Sequence, residues 1–237
     1  MTTKILLLLV TSLSTIAQQN YINVPSADVT KKNRLFFQQQ LNFNELVQSN
    51  TTLDYGIGRG FEIGVNVLGL NFNDRTRSFL NNDSTDSGPY NPLVLINALK
   101  RIELTKHTSI AIGSQAGINF IDNKKQSGAG LTYLNLRLTD LMLKNSSVVI
   151  VTYYNSLHYG GSGNRFGIWV ASEVPITPKF HLMAESVLGE NALSYSSLGI
   201  VYYPFERMPL TLGAQIPNTK SNAYSIVFEL TITPTSN

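Results

Sequence analysis

The chain of 237 residues contains no cysteine. That absence excludes a disulfide framework, a thiolate metal site and a thiol nucleophile. It also removes the cysteine that a lipid-anchored exported protein carries at its new N-terminus, so a barrel is left as the route into a membrane. Charge is scarce as well, at 14% of residues against about 25% in an ordinary soluble domain. No apolar run is long enough for a spanning helix, which needs roughly 18 residues. Mean hydropathy is nonetheless close to zero. Little charge with balanced hydropathy suits an assembly that is apolar outside and polar inside. Basic and acidic residues number 18 and 15, a balance that argues against nucleic acid as partner.

What is present at the start reads as a secretory signal over 1–17: Lys4, the apolar run from Ile5 to Val10, then small and polar residues to Ala17. Cleavage after Ala17 gives a mature start at Gln18. Removing Lys4 with the leader leaves 17 basic against 15 acidic residues, a net charge of +2. The stretch 18–33 holds Pro25, Ser26, Asp28 and the pair Lys31-Lys32 without a strand period, and is expected as a periplasmic N-terminal segment.

From Arg34 to Ile232 the chain alternates apolar and polar residues in segments of about ten, the length a β-strand needs to cross a bilayer. In 61–67, Phe61, Ile63, Val65 and Val67 oppose Glu62, Gly64 and Asn66. In 165–174, Phe166, Ile168 and Val170 oppose Trp169, Ala171 and Glu173. Tight turns are expected around Gly58-Arg59-Gly60, Lys106, Lys144, Ile176 and Phe205, and longer polar loops at 45–50, 72–91, 119–128 and 158–163. The count is about twelve strands, with both termini and the short turns on the periplasmic side. The expected fold is therefore all-β, a transmembrane antiparallel up-and-down barrel over 34–237. A soluble sandwich also alternates. The leader, the apolar faces and tyrosines near strand ends, Tyr203 and Tyr224, favour the membrane.

Charges on the lipid face would cost about 2–4 kcal/mol for arginine at mid-depth, so they are expected to point inward. The residues so placed are Glu62, Asn66, Asn135, Arg137, Trp169, Glu173, His181, Glu185, Gln215 and Glu229. Two arrangements follow: these groups pair across a narrow barrel and seal it, or they line a small polar pore or pocket. Gln38, Gln39 and Gln40 place a glutamine on either face of the first strand, a rim suited to an envelope protein partner.

The segment 53–64, Leu-Asp-Tyr-Gly-Ile-Gly-Arg-Gly-Phe-Glu-Ile-Gly, resembles the strand-turn-strand unit of outer-membrane β-barrels of the Bacteroidota. The segment 173–180, Glu-Val-Pro-Ile-Thr-Pro-Lys-Phe, resembles another of their short turns. Both are also similar to the family for outer-membrane transport in phenol meta-pathway degradation. The resemblance implies an outer-membrane barrel and carries over no substrate or residue role.

For chemistry, the best candidate is the stretch His158-Tyr-Gly-Gly-Ser162-Gly-Asn164-Arg165, since outer-membrane phospholipases use a His, a Ser and an Asn near a barrel rim. Those enzymes place His and Ser one residue apart on one strand. Here two glycines fall in the interval, and a glycine-rich hairpin explains the stretch as well. The three histidines, His107, His158 and His181, lack metal-site spacing. The loop 81–88 offers oxygens for calcium but not the EF-hand spacing. The expectation is a non-enzymatic outer-membrane barrel without cofactor or metal, surrounded by lipid, acting as a narrow channel or transporter for small solutes. The alternatives are an accessory barrel of an envelope complex and, least, a lipid hydrolase.

Overall fold

The computed structural model describes residues 20–82, 89–119, 128–141, 143–205, 207–220 and 222–233. The expected leader, its cleavage site and most of the loop 81–88 lie outside these residues.

The wall is built from β1 (Leu35–Phe43), β2 (Val47–Gly58), β3 (Phe61–Asn73), β5 (Leu93–Thr105), β6 (Thr108–Asn119) and β7 (Ala129–Thr139). It continues through β8 (Ser147–Asn155), β9 (Phe166–Pro175), β10 (Phe180–Val187), β11 (Tyr195–Tyr202), β12 (Leu210–Pro217) and β13 (Ser225–Ile232). Neighbours in sequence pair antiparallel, and β13 returns to β1 with Leu41 opposite Phe228, so the barrel is closed. The remaining strand, β4 (Ser78–Leu80), only prolongs β3 above the wall. Twelve strands thus form an all-β up-and-down barrel.

Alternation is the cause of this closure, because each strand can show one face outward and one inward throughout its length. The outer face is apolar: Ile96, Ile112, Leu134 and Leu212 are all more than half exposed. One end of the barrel carries the short reversals and the first and last wall strands' free ends; the other carries the longer connections. At the turn end Gly58, Arg59 and Gly60 have φ of 101°, 54° and 71°, the left-handed geometry that a two-residue hairpin requires and glycine supplies at least cost.

Two connections differ from expectation. The polar stretch 45–50 is mostly strand, since β2 begins at Val47. Its polarity comes from facing the interior, where Gln48 accepts a hydrogen bond from Asn42 Nδ2 at 3.0 Å, not from lying in a loop. The stretch 158–163 begins with a short helix, α1 (Leu157–Gly160), which packs beside β7.

The largest difference concerns residues 20–33, expected outside the barrel on the periplasmic side. They enter it. Tyr21, Ile22, Val24 and Ala27 are buried, the first three against Val149, Val151, Trp169, Met183, Val201 and Val227 of the inner wall. Irregular backbone inside a barrel needs partners for its polar groups, and the wall provides them. One carboxylate, Glu185, accepts from the backbone N–H groups of Ile22, Asn23 and Val24 at 2.9–3.1 Å. Asn135 Nδ2 donates to the Pro25 carbonyl at 2.5 Å, and Thr30 N donates to Glu62 Oε2 at 2.6 Å. The segment leaves at the turn end, where Asn33 N donates to Gly56 O at 2.8 Å before β1 begins.

Candidate functional site

Above the inserted segment lies a cavity of roughly 470 Å³, within the range of small-molecule sites. Its floor is Asn20, Ile22, Asn23 and Pro25 of the segment. Its walls come largely from amides that the strand period points inward on the first strands.

These amides form two hydrogen-bonded series. In one, Gln40 Nε2 donates to Asn42 Oδ1 at 2.8 Å, Asn42 Nδ2 to Gln48 Oε1 at 3.0 Å, and Gln48 Nε2 to Asn71 Oδ1 at 3.1 Å. In the other, Asn97 Nδ2 donates to Asp54 Oδ1 at 2.8 Å and to Asn66 Oδ1 at 2.9 Å. Asn66 then donates to Gln115, whose Nε2 donates to the Tyr159 hydroxyl at 2.6 Å. Burial holds the Tyr159 hydroxyl above the usual phenol range, so it remains a neutral group at any ordinary pH. Together the series cross five elements, β1, β2, β3, β5 and β6, and the second ends on α1.

Aromatic rings complete the wall. Trp169 stacks on Tyr153 with centroids 4.5 Å apart, and the Tyr133 ring lies 6.4 Å from it. Tyr133 and Tyr153 lie over Gly113 and Gly167 of the neighbouring strands, where a Cβ would collide with either ring. The rings are thereby held flat against the wall. Tyr90, Tyr159 and Tyr195 border the cavity higher up.

Of the ten residues expected to point inward, all have buried or largely buried side chains in the interior. Only Glu62, Asn66, Trp169 and Gln215 border the cavity. Asn135, Glu185 and Arg137 lie lower and hold the inserted segment: Arg137 Nη1 and Arg101 Nη1 both reach Asp28 Oδ1 at 2.9 Å. Glu173 and His181 belong to a separate group near the turn end. His181 Nδ1 is 2.5 Å from Glu173 Oε1, and the Tyr203 hydroxyl donates to the same oxygen at 3.1 Å. Burial, then the charge of Glu173, holds the Tyr203 hydroxyl well above its usual pKa, which keeps its proton on as the donor. Glu229 is fully buried on β13.

Sequence reasoning passed over Gln48, Asn50, Asp54, Asn97 and Gln115 as wall residues. The signal existed in Gln48-x-Asn50-x-Thr52-x-Asp54, which repeats every second residue, but polarity on both faces made it read as a loop followed by a strand. Gln39, on the outer face, has its amide tied to Ser49 Oγ at 2.9 Å and accepts from Thr51 Oγ1 at 2.7 Å.

The His158 to Arg165 stretch does not assemble as a hydrolase site. The His158 ring stacks on Tyr90 at 4.2 Å, its Nδ1 faces the Gly128 carbonyl at 3.3 Å, and Ser162 is exposed. In the calcium-like loop, Asn81 and Asn82 are engaged by Asn119 and Asn91, while 83–88 lie outside the described residues. Among the described residues no three His, Asp or Glu side chains converge on a metal position.

No protein-family model matches the chain, and no curated protein sequence matches it. Solved structures do match. The KdgM porin, in complex with disordered oligogalacturonate, superposes with a TM-score of 0.58 at 9% identity, over 84% of this chain and 99% of that one. The NanC porin superposes with a TM-score of 0.56, also at 9% identity, over 86% of this chain and all of its own. The chain thus has the twelve-stranded barrel fold of these porins.

Proposed function

We propose that the protein is an integral outer-membrane barrel that admits small solutes through its interior, as a narrow channel whose passage the segment 20–33 closes at the turn end. The observation that carries this reading is a polar cavity of about 470 Å³ inside a barrel with an apolar outer face. Polar side chains facing a solvated lumen and apolar side chains facing lipid are the solution that both environments favour. The fold shared with two porins supports it. In the outer membrane the turn end faces the periplasm, the exported chain having lost residues 1–17. The barrel is read as acting without chemistry of its own, since its described interior is arranged as a polar cavity.

The oligogalacturonate seen with one porin is not transferred here. Among the described residues bordering the cavity there is no lysine or arginine to meet an acid group.

Planar-bilayer recordings test the channel. The full mature chain gives small or rare openings, and a variant lacking 20–30 gives steady conductance. If the barrel, shown to be folded by heat-modifiable electrophoretic mobility, carries neither current nor solute in both forms, the channel reading falls. Should the deletion fail to fold, Glu185→Ala serves in its place, because it releases the segment without removing it.

A further inference from the structure

The chemistry of the cavity wall selects among solutes. We infer that the cavity binds a neutral, polyhydroxylated solute, of the class of short uncharged oligosaccharides, and discriminates against acidic ones. The inference rests on the channel reading for the route by which the solute arrives.

Charge is the first ground. The described lining includes two carboxylates, Asp54 and Glu62, and no basic side chain. An acidic solute would lose its hydration with no cation to replace it, a cost that hydrogen bonds from neutral amides do not cancel. Asp54 accepts from Asn97 at 2.8 Å and Glu62 from Thr30 at 2.6 Å, bonds that leave each carboxylate further acceptor sites for hydroxyl donors.

The second ground is the balance of donors and acceptors. A carboxamide carries two N–H donors and two acceptor sites, and a hydroxyl carries one donor and two acceptor sites. In the series through Gln40, Asn42 and Gln48 each amide is occupied by its neighbours at only part of this capacity. The remainder presents donors and acceptors side by side, which suits groups that donate and accept at once. Two further wall residues hold buried donors without a protein acceptor: Gln38 Nε2 and Trp169 Nε1, on side chains that are each 3% exposed. Gln38 is held by Asn20, which donates to its Oε1 at 2.7 Å.

Third, the rings of Trp169, Tyr90 and Tyr195 border the same space. A flat aromatic face packs against the C–H face of a sugar ring while the ring's hydroxyl edge turns to the amides. Amides on one side and rings on another give the cavity the two-faced character of such a solute. Purely apolar molecules would leave the amides unpaired, and small ions would leave the rings uncovered.

Trp169 is the chain's only tryptophan, so its emission reports on this site alone. The full mature chain, folded in detergent micelles, is titrated with maltotriose and cellobiose as neutral probes and digalacturonate as the acidic probe. The expected result is a saturable emission change with at least one neutral probe, about tenfold tighter than with the acidic probe. Gln40→Leu and Gln215→Leu, on β1 and β12, each weaken it about tenfold while electrophoretic mobility shows them folded. Equal or tighter binding of the acidic probe overturns the inference. So does an unchanged emission with no calorimetric heat for both neutral sugars. Recordings on the same preparations separate the two readings: binding without conductance sinks the channel and keeps the site, and conductance without binding does the reverse.

Discussion

The inner surface of this barrel has two halves that differ in what dominates them. From β1 to β6 it is carpeted with Asn and Gln, which bond to one another and face the cavity. From β7 to β13 it carries an apolar cluster, Leu131, Val149, Val151, Met183, Val201 and Val227, which faces Tyr21, Ile22 and Val24, beside the buried Arg137, Glu185 and Glu229. The same fold supplies both halves, so the difference lies in what each half touches. Amides lose little when they border a solvated space, because water completes their hydrogen bonds. Valine and methionine on an inner face are stable only if polypeptide covers them. The apolar cluster therefore marks where residues 21–24 of the inserted segment belong, and the amide series through Gln40, Asn42 and Gln48 marks the border of the cavity.

The largest break in this division is expected from Glu185→Ala. Its carboxylate is the shared acceptor of three consecutive backbone N–H groups, and it also accepts from Asn23 Nδ2 at 2.6 Å and Ser197 Oγ at 2.9 Å. Leaving that many buried donors unpaired should weaken seating of the segment by roughly 3–5 kcal/mol. Amide hydrogen exchange over residues 21–30 reads this directly. Protection there should collapse while that of the wall strands persists. Retained protection would mean that apolar contact alone seats the segment.

Apolar contact is addressed next, with Ile22→Ala. The Ile22 side chain lies over Gly199 and Gly213, paired directly across β11 and β12, where an added Cβ at Gly213 would come within 2.8 Å of Ile22 Cδ1. Truncating this buried side chain should cost about 2–4 kcal/mol. Gly213→Ala should loosen the same residue from the wall side, so both variants speed proteolysis of the segment without altering electrophoretic mobility of the barrel. A smaller effect, roughly 1–3 kcal/mol, is expected from Asp28→Ala, which removes the acceptor shared by Arg101 and Arg137 at 2.9 Å and leaves two guanidinium groups facing each other. Added salt should narrow the gap between this variant and the parent, since it screens that repulsion.

The two halves were also unequally legible. Where the interior meets the cavity, as in Glu62-x-Gly64-x-Asn66, polar and apolar residues alternate and both the strand and its inward face can be read from the sequence. Where the interior meets the segment, alternation fades: in β8 the inward Val149 and Val151 are flanked by the outward Val148 and Ile150. A strand covered on both sides reads as a continuous apolar run, which hides the direction of its side chains and the existence of a cover. The segment itself has four buried apolar residues spread over an irregular path with a proline, and irregular backbone has no period to detect. Twelve strands, their turns and the inward charges followed from spacing. The partner of those charges did not, because Glu185 and Arg137 are satisfied by residues more than a hundred positions away.

The smallest effect should come from Gln48→Ala, and it tests whether the amide series can lose a member without disturbing the segment. Gln48 bonds only to side chains, accepting from Asn42 at 3.0 Å and donating to Asn71 at 3.1 Å, and its own side chain is not fully buried. Truncation leaves Asn42 and Asn71 each one partner short beside a space that holds water, so solvent can take the vacated positions. The cost should stay below about 1 kcal/mol, with exchange protection over 21–30 unchanged. A loss comparable to that of Ile22→Ala would show that the amide series carries strain between the cavity and the segment. The two halves would then be one cooperative unit, and a solute seated among the amides would have a direct means of loosening the segment beneath it.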